Sequence, residues 1–560
     1  MHTGLIPPAT DPNSVSPAPR WQQPTLHQWL RADWPTAVCL AVALVAAVLP
    51  IWAAPLLPMM DLPQHLATAR ILHSFGDPAF GVDRYHVIDF SRTQYLLWYL
   101  AVDGLSWLMP LETANRVVLS LYASGLPLSV LALLRAHRRD PALALLAVPL
   151  VYNVFYFMGF ANYITALPLL LWALALLQHC LDAPDSRPRW RLVTGTAVVA
   201  LLLFYSHAQA FALYGVLAGV TVLLGSPGLH PRHWWRAALH LVPAALAMAI
   251  WTSRSLILAT ATEWQKGHGG RNVAPGQAVW EPISERFEHI GSWWLDGYRG
   301  DSDELIALMW LALLILSAVL GTTATQPSPT GAQPWRSKVP AAMLATTVAA
   351  YLLSPVSYKW IWPISYRFVP VAALLAIVTI GYRHLRWRSM VLVGPATALA
   401  LWASSVHVGK AREFASEVGP IREIVAQALP GKKLIALVYG PGSAVLQQAP
   451  LIHIGQYYVV DRGGMASFSF ANFPQSPVLY PDVGGPPVFP ARFEWTPERF
   501  TWIEHGHWYD YVLVRGGGEP FGADRHKVAL VAELGPYRLF ANRATVAQNR
   551  GADTPVDVAR

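Results

Sequence analysis

Charge is scarce in this chain: 13% of its 560 residues are Asp, Glu, Lys or Arg, while 54% are hydrophobic. That balance, with a positive mean hydropathy, excludes an ordinary soluble protein and describes a polytopic membrane protein. Cysteine is nearly absent. Cys39 and Cys180 both lie in apolar runs, so neither a disulfide framework nor a cysteine zinc site is available. No soluble segment carries a basic stripe with interleaved aromatics, and the excess positive charge sits in the loops of the apolar part, so nucleic acid is not an expected partner. The first apolar run is longer than the roughly 7 to 15 residues of a signal-peptide core and is expected to stay in the mature protein. No internal repeat is visible.

What the sequence has is a series of apolar runs. About 20 residues cross a hydrocarbon core as a helix. Spans are therefore expected near 34–57, 94–110, 113–134, 141–158, 162–181, 192–225, 237–258, 304–321, 339–355, 364–381 and 389–408. As one helix the 192–225 run would reach about 50 Å; it is either one long kinked helix or two short spans meeting near Ser206 and His207. The total is eleven or twelve. Arg336 and Lys338, then Arg383, Arg386 and Arg388, mark two cytoplasmic loops. Eleven spans then put the N-terminus inside and the Asp61 loop outside, in an inner (cytoplasmic) membrane. The basic turn Arg135, His137, Arg138, Arg139 is left outside by this count, unless the 94–134 region crosses only once.

The expected organisation is a Pro-rich, disordered cytoplasmic tail at 1–33 and a transmembrane domain at 34–409 with external loops 59–93 and 259–303. A soluble extracytoplasmic α/β domain follows at 410–560. In that domain an amphipathic helix is expected over Arg412 to Leu429, with strands at Leu434–Tyr439, Tyr511–Val514, Val528–Ala532 and Tyr537–Phe540. Gly516, Gly517 and Gly518 lack the Lys and the following helix of a phosphate loop and read as a turn. The second loop is rich in tryptophan, which suits anchoring at the membrane interface.

Asp61, Leu62, Pro63, Gln64 and His65 follow the first apolar run directly. Residues at i and i+4 share a helical face, so Asp61 and His65 would be neighbours, and Pro63 suits a first helical turn. The residues after them, Leu66, Ala67, Ala69, Ile71, Leu72 and Phe75, form one apolar stripe with Arg70 and His73 elsewhere, as in a helix lying along the membrane. Two readings of the pentapeptide stay open: Asp61 caps that helix, or it is a functional acid at the bilayer rim. A second cluster, Tyr358, Lys359, Trp360, Trp362, Tyr366 and Arg367, precedes an apolar run. It fits a lipid- or sugar-linked phosphate, and it fits equally an aromatic belt with snorkelling cations. His207 is an intramembrane contact if its run is one helix and a rim residue if it is two. Asp103, Glu112 and Arg116 read as helix-end groups.

Together the early acidic motif, the surface helix, the many spans, the second large external loop and the C-terminal domain resemble the GT-C glycosyltransferases, over about three quarters of the chain. The segments Tyr152, Asn153 to Gly159, Phe160, Ala161, Asn162, Tyr163 and Arg367, Phe368, Val369, Pro370 also look like bacterial relatives of that family. The resemblance implies transfer of a sugar from a polyprenyl-phosphate-linked donor to a glycan, lipid or protein acceptor on the outer face of the membrane, as in envelope polysaccharide biosynthesis. Asp61 matches the family's first-loop acid, a general base or a ligand of a divalent ion (Mg or Mn). With no second acid beside Asp61, the base role is favoured over the metal. His65, Arg70, His207, Lys359, Tyr366 and Arg367 are the expected substrate-binding residues. A transporter or flippase for lipid-linked glycans would share the apolar body, but would place its key groups near the bilayer midplane between related halves; a non-catalytic assembly subunit whose soluble domain binds a partner is a third alternative.

Overall fold

The computed structural model describes residues 33–182, 190–225, 238–254, 278–321, 337–358, 361–381, 386–473, 475–481, 484–487, 489 and 492–545. The expectations for the N-terminal tail, for Lys359 and for the first part of the 259–303 loop, 259–277, fall outside these residues. The fold is α-helical, with a strand-containing C-terminal domain. Among the described residues, six helices are long and apolar enough to cross a membrane: Trp34–Trp52, Leu111–Ala136, Ala161–Asp182, Ala208–Gly225, Ser302–Gly321 and the helix that runs into the C-terminal domain. Four shorter apolar helices accompany them, Trp190–Ser206, Leu239–Ser253, Val339–Leu353 and Ser365–Thr379.

The 192–225 run is two helices that part at His207. Three other expectations change. The 94–110 run forms only the ten-residue helix Leu97–Ser106, about 15 Å long against the about 30 Å of a hydrocarbon core. The 94–134 region therefore holds one helix of spanning length. The 141–158 run is not one helix either: it is 3₁₀ segments Pro141–Ala147 and Pro149–Val151 and a short turn Val154–Phe157. Pro141 and Pro149 cannot donate the bonds a continuous helix needs. Its freed carbonyls take donors from packed neighbours: Tyr122 Oη gives to Val151 at 2.6 Å and Trp310 Nε1 to Leu146 at 2.6 Å. Irregular backbone is tolerated at membrane depth under that condition. The third change is at the boundary expected at 409/410, which lies inside one continuous helix, Arg386–Val418. That helix stops at Gly419, whose φ is +71°, followed by Pro420.

The C-terminal domain carries one five-stranded sheet, with β1 at Lys433–Val438, β2 at Met465–Ala466, β3 at Tyr511–Arg515, β4 at Val528–Leu534 and β5 at Tyr537–Asn542. Its order is β2, β1, β3, β5, β4. β1 pairs parallel with β2 and β3, and the remaining pairs are antiparallel. Alternation sorts the side chains into two layers. Leu434, Ala436, Leu513, Leu539 and Ala541 pack toward the helical body, while Ile435, Leu437, Val512, Val514 and Phe540 join an aromatic layer with Phe493, Phe500, Trp502 and Tyr509. Gly516 and Gly517, at positive φ, form the expected turn, and Arg538 donates to the carbonyls of all three glycines.

The Leu62–His73 helix lies between body and domain, with nine of its twelve residues buried. This corrects the expectation of a helix resting on the membrane: its apolar stripe meets the body, and the domain covers its other faces.

Candidate functional site

Asp61 stands at the N-cap position of the Leu62–His73 helix with φ −89° and ψ −3°, and its side chain accepts no cap hydrogen bond. Capping side chains need extended backbone at this position to reach the first-turn N–H groups. The capping reading is thus not realised. The backbone there is pinned instead by the Phe157–Gly159 turn: Met60 and Asp61 donate N–H to the carbonyls of Phe157 and Met158 at 2.8 and 3.1 Å. Gly159, at φ +79°, lies so close that a Cβ on it would sit 2.6 Å from the Asp61 nitrogen.

With no cap to make, the carboxylate faces the C-terminal domain. Asp61 Oδ1 lies 3.4 Å from Nε2 of His453, with the two side chains 13% and 11% exposed. Gln64, one helical turn on, bonds to the same imidazole at Nδ1, 3.1 Å away. Burial resists charging of His453, but the contact with Asp61 and the Glu494 and Asp61 carboxylates outweigh it and hold its pKa above the ordinary value. Burial also raises the pKa of Glu494, with His453 opposing and Asp61 adding to the rise. A carboxylate and an imidazole from two distant parts of the chain thus meet with little exposure to solvent, with Glu494 acting on both through its charge.

The segment that pins Asp61 leads directly to the second cluster. Phe160 and Tyr163 lie under the Arg367 guanidinium, 5.2 and 5.9 Å from ring centroid to Cζ. Tyr163 Oη donates to the Arg367 carbonyl. Arg367 is buried. Nη1 reaches Gln209 Oε1 at 3.1 Å and Nη2 the Trp362 carbonyl at 3.4 Å, and Nε is buried without a partner. No carboxylate pairs with it among the described residues. A buried cation so placed is a site for an anion. The His207 ring joins the cluster, 5.2 Å from both Tyr95 and Tyr163, at the break between its two helices.

Three expected substrate residues are held by the protein itself. His65 bonds to Tyr99 Oη at 2.7 Å and packs against Trp98 and Phe470; burial lowers its pKa to about 4. Arg70 gives Nε to the Val460 carbonyl at 2.8 Å and lies over Phe80, which fastens helix to domain. Tyr366 stacks on Trp293 with centroids 4.2 Å apart and donates to Glu281, which fastens the second loop. The helix-end readings fare differently. Arg116 gathers the carbonyls of Ile51, Ala54 and Pro55, all at 2.7 Å, at the end of the first helix, and Glu112 pairs with Arg422 of the domain. Gln64, His453, Glu494, Gln209 and Tyr163 were not singled out as site residues from sequence. Gln64 lay inside the pentapeptide, whereas His453 is 389 residues away from it and carries no spacing signal.

Asp61 Oδ1 already has the His453 ring as a neighbour. Among the described residues no group of three or more His, Cys, Asp or Glu side chains could hold a metal.

No protein-family model and no curated protein matches the chain. Among solved structures it is similar to the archaeal oligosaccharyltransferase AglB from Archaeoglobus fulgidus in complex with an inhibitory peptide and a dolichol-phosphate (TM-score 0.45, 11% identity, 87% of this chain and 70% of that one). It is also similar to the arabinofuranosyltransferase AftD from mycobacteria (TM-score 0.45, 14% identity), covering 91% of this chain but only 41% of that longer one. A third is the Archaeoglobus fulgidus oligosaccharyltransferase in complex with Zn and sulfate (TM-score 0.40, 11% identity, 85% of this chain and 68% of that one).

Proposed function

We propose that this chain is a multi-pass membrane glycosyltransferase. It moves a sugar from a polyprenyl-phosphate-linked donor to a hydroxyl of a glycan, lipid or protein acceptor on the outer face of the cytoplasmic membrane. The observation that carries this reading is the placement of two groups on one pinned segment, Met158 to Tyr163. At one end is Asp61, a carboxylate released from capping its own helix; at the other is Arg367, a buried guanidinium with no carboxylate partner among the described residues. A base and an anion site held at fixed separation are what transfer from a phosphate carrier requires.

In this reading Asp61 takes the proton of the acceptor hydroxyl as its oxygen attacks the anomeric carbon. The bond from that carbon to the phosphate oxygen breaks, and the electron pair leaves with the phosphate. Phosphate is a stable anion and needs no strong general acid. Arg367, assisted in this proposal by Lys359, offsets the charge that develops there, and the Tyr163 and His207 rings offer faces for the sugar or for the first isoprene unit. No step is routed through a metal ion.

The orientation belongs to the same proposal. Losing the 94–110 span and splitting 192–225 leaves eleven crossings, if the buried 141–158 segment crosses as irregular backbone. Arg139 donates to the Ser337 carbonyl at 2.9 Å. The basic turn thereby lies beside Ser337, next to the basic residue Lys338, which supports placing both on the cytoplasmic side under the positive-inside rule. The test is transfer of label from polyprenyl-phosphate sugars to membrane acceptors by the purified chain. Movement of intact lipid-linked glycan across proteoliposomes without a new glycosidic bond would instead support a flippase.

A further inference from the structure

The C-terminal domain does more than cover the Leu62–His73 helix. It delivers His453 to Asp61, and the hydrogen bonds around Gln64 specify how. Gln64 Nε2 donates to the Phe468 carbonyl at 2.6 Å, and Gln64 Oε1 accepts the Phe470 N–H at 3.0 Å. A carbonyl must meet the NH₂ end and an N–H the oxygen end, so two backbone groups fix which way the amide points. The remaining Nε2 hydrogen then points to His453 Nδ1, 3.1 Å away. A donor at that atom requires Nδ1 to accept, which puts the ring proton on Nε2. That N–H faces Asp61 Oδ1 at 3.4 Å. Phe468 holds φ +58°, a left-handed conformation costly for a bulky residue and concentrated at sites where geometry matters. Here it aims the Phe468 carbonyl and the Phe470 N–H at one side chain.

We infer that His453 is the positioning residue of Asp61, and that Gln64 is the clamp that selects its tautomer. The inference rests on Asp61 being the base. His453 Nε2–H occupies Oδ1 and holds the carboxylate in one rotamer, which leaves Oδ2 to receive the acceptor proton. His453 itself neither gains nor loses a proton in the step. The site is therefore built jointly by the helical body and the strand-containing domain, and undocking the domain releases the base.

The test uses the full-length chain in detergent. The donors are polyprenyl phosphates carrying radiolabelled mannose, glucose or arabinose, with a total membrane extract as acceptor. His453→Ala is expected to lower kcat about 10²-fold while KM for the donor stays within about threefold, the pattern of a misplaced group rather than lost binding. His453→Gln, whose amide can present an N–H in place of Nε2, is expected to recover about tenfold of that loss. In an Asp61→Asn background His453→Ala is expected to cost nothing further, since residues acting through one another are not additive. An inactive Asp61→Asn beside a His453→Ala variant at the wild-type kcat overturns the positioning role alone. A wild-type rate in Asp61→Asn overturns the base reading beneath it. Independently of any donor, the ¹⁵N-histidine signal that disappears in His453→Gln must report, at a pH where the ring is neutral, protonation at Nε2; a neutral ring protonated at Nδ1 overturns the inference.

Discussion

Gly159→Ala is the substitution through which the site's geometry can be tested without touching a reacting group. The new Cβ would lie 2.6 Å from the Asp61 nitrogen, 2.9 Å from that of Leu62 and 3.1 Å from the Asp61 Cα, all backbone atoms and all inside the 3.4 Å at which ordinary contact begins. None of these can swing aside as a side chain would, so the Asp61 backbone must retreat by close to ~1 Å or the turn must open. Two costs combine. Holding Ala at φ +79° costs about 1–2 kcal/mol, and forcing an extra methyl into packed backbone costs about 1–3 kcal/mol. A displacement of that size at a reacting group lowers the rate by about 10²-fold, or about 2.7 kcal/mol of transition-state stabilisation. The control is Gly104→Ala, in a helix interior with nothing within 4 Å, expected to gain about 0.5–1 kcal/mol. Thermal unfolding in detergent and sugar transfer, measured on both variants, supply the comparison. A Gly159→Ala protein with wild-type melting temperature and wild-type rate would refute the claim that this turn sets the position of Asp61.

Arg367→Gln keeps a polar side chain but removes the charge from the proposed phosphate site; kcat/KM for transfer is expected to fall about 10²-fold or more, with Arg367→Lys intermediate because a point charge cannot replace the fork. His65 is driven to about 4 from an ordinary 6.5, so its native state binds fewer protons than the unfolded chain. Stability is therefore present above pH 6.5 and falls as pH drops toward 4, by about 3 kcal/mol from this group; His65→Phe is expected to flatten that acid limb in pH-dependent denaturation, and an unchanged limb would contradict the assignment. A topology reporter fused at His137 is expected to read cytoplasmic, whereas an external signal would restore a span at 94–110.

Much of this architecture was legible because apolar runs have lengths. The helices at 111–136, 161–182 and 302–321 follow from hydropathy alone, and β1, β3, β4 and β5 follow from short apolar runs closed by Gly, Pro or Asp. What misled was burial without helix. The 141–158 run is as apolar as a span because its surroundings are dry, yet Pro141 and Pro149 break the ladder and tyrosine and tryptophan donors of other helices repair it. The boundary at 410 was placed where charge begins, but a helix can leave an apolar layer without interruption, and only Gly419 and Pro420 stop it. Asp61 was visible because it follows a span. Its partner was not: His453 sits in the sequence Leu451, Ile452, His453, Ile454, where an imidazole has no periodicity or spacing to mark it, and the contact exists only once the domain docks.

Single-turnover transfer from polyprenyl-phosphate-linked sugar, with wild-type chain against Asp61→Asn, tests the central claim most directly. Asn keeps the shape of the side chain and its contact with His453, but cannot accept a proton. The account predicts a new glycosidic bond in the wild type and a rate lower by about 10²- to 10⁴-fold in the variant, with donor binding unchanged. Equal rates in the two proteins would contradict it.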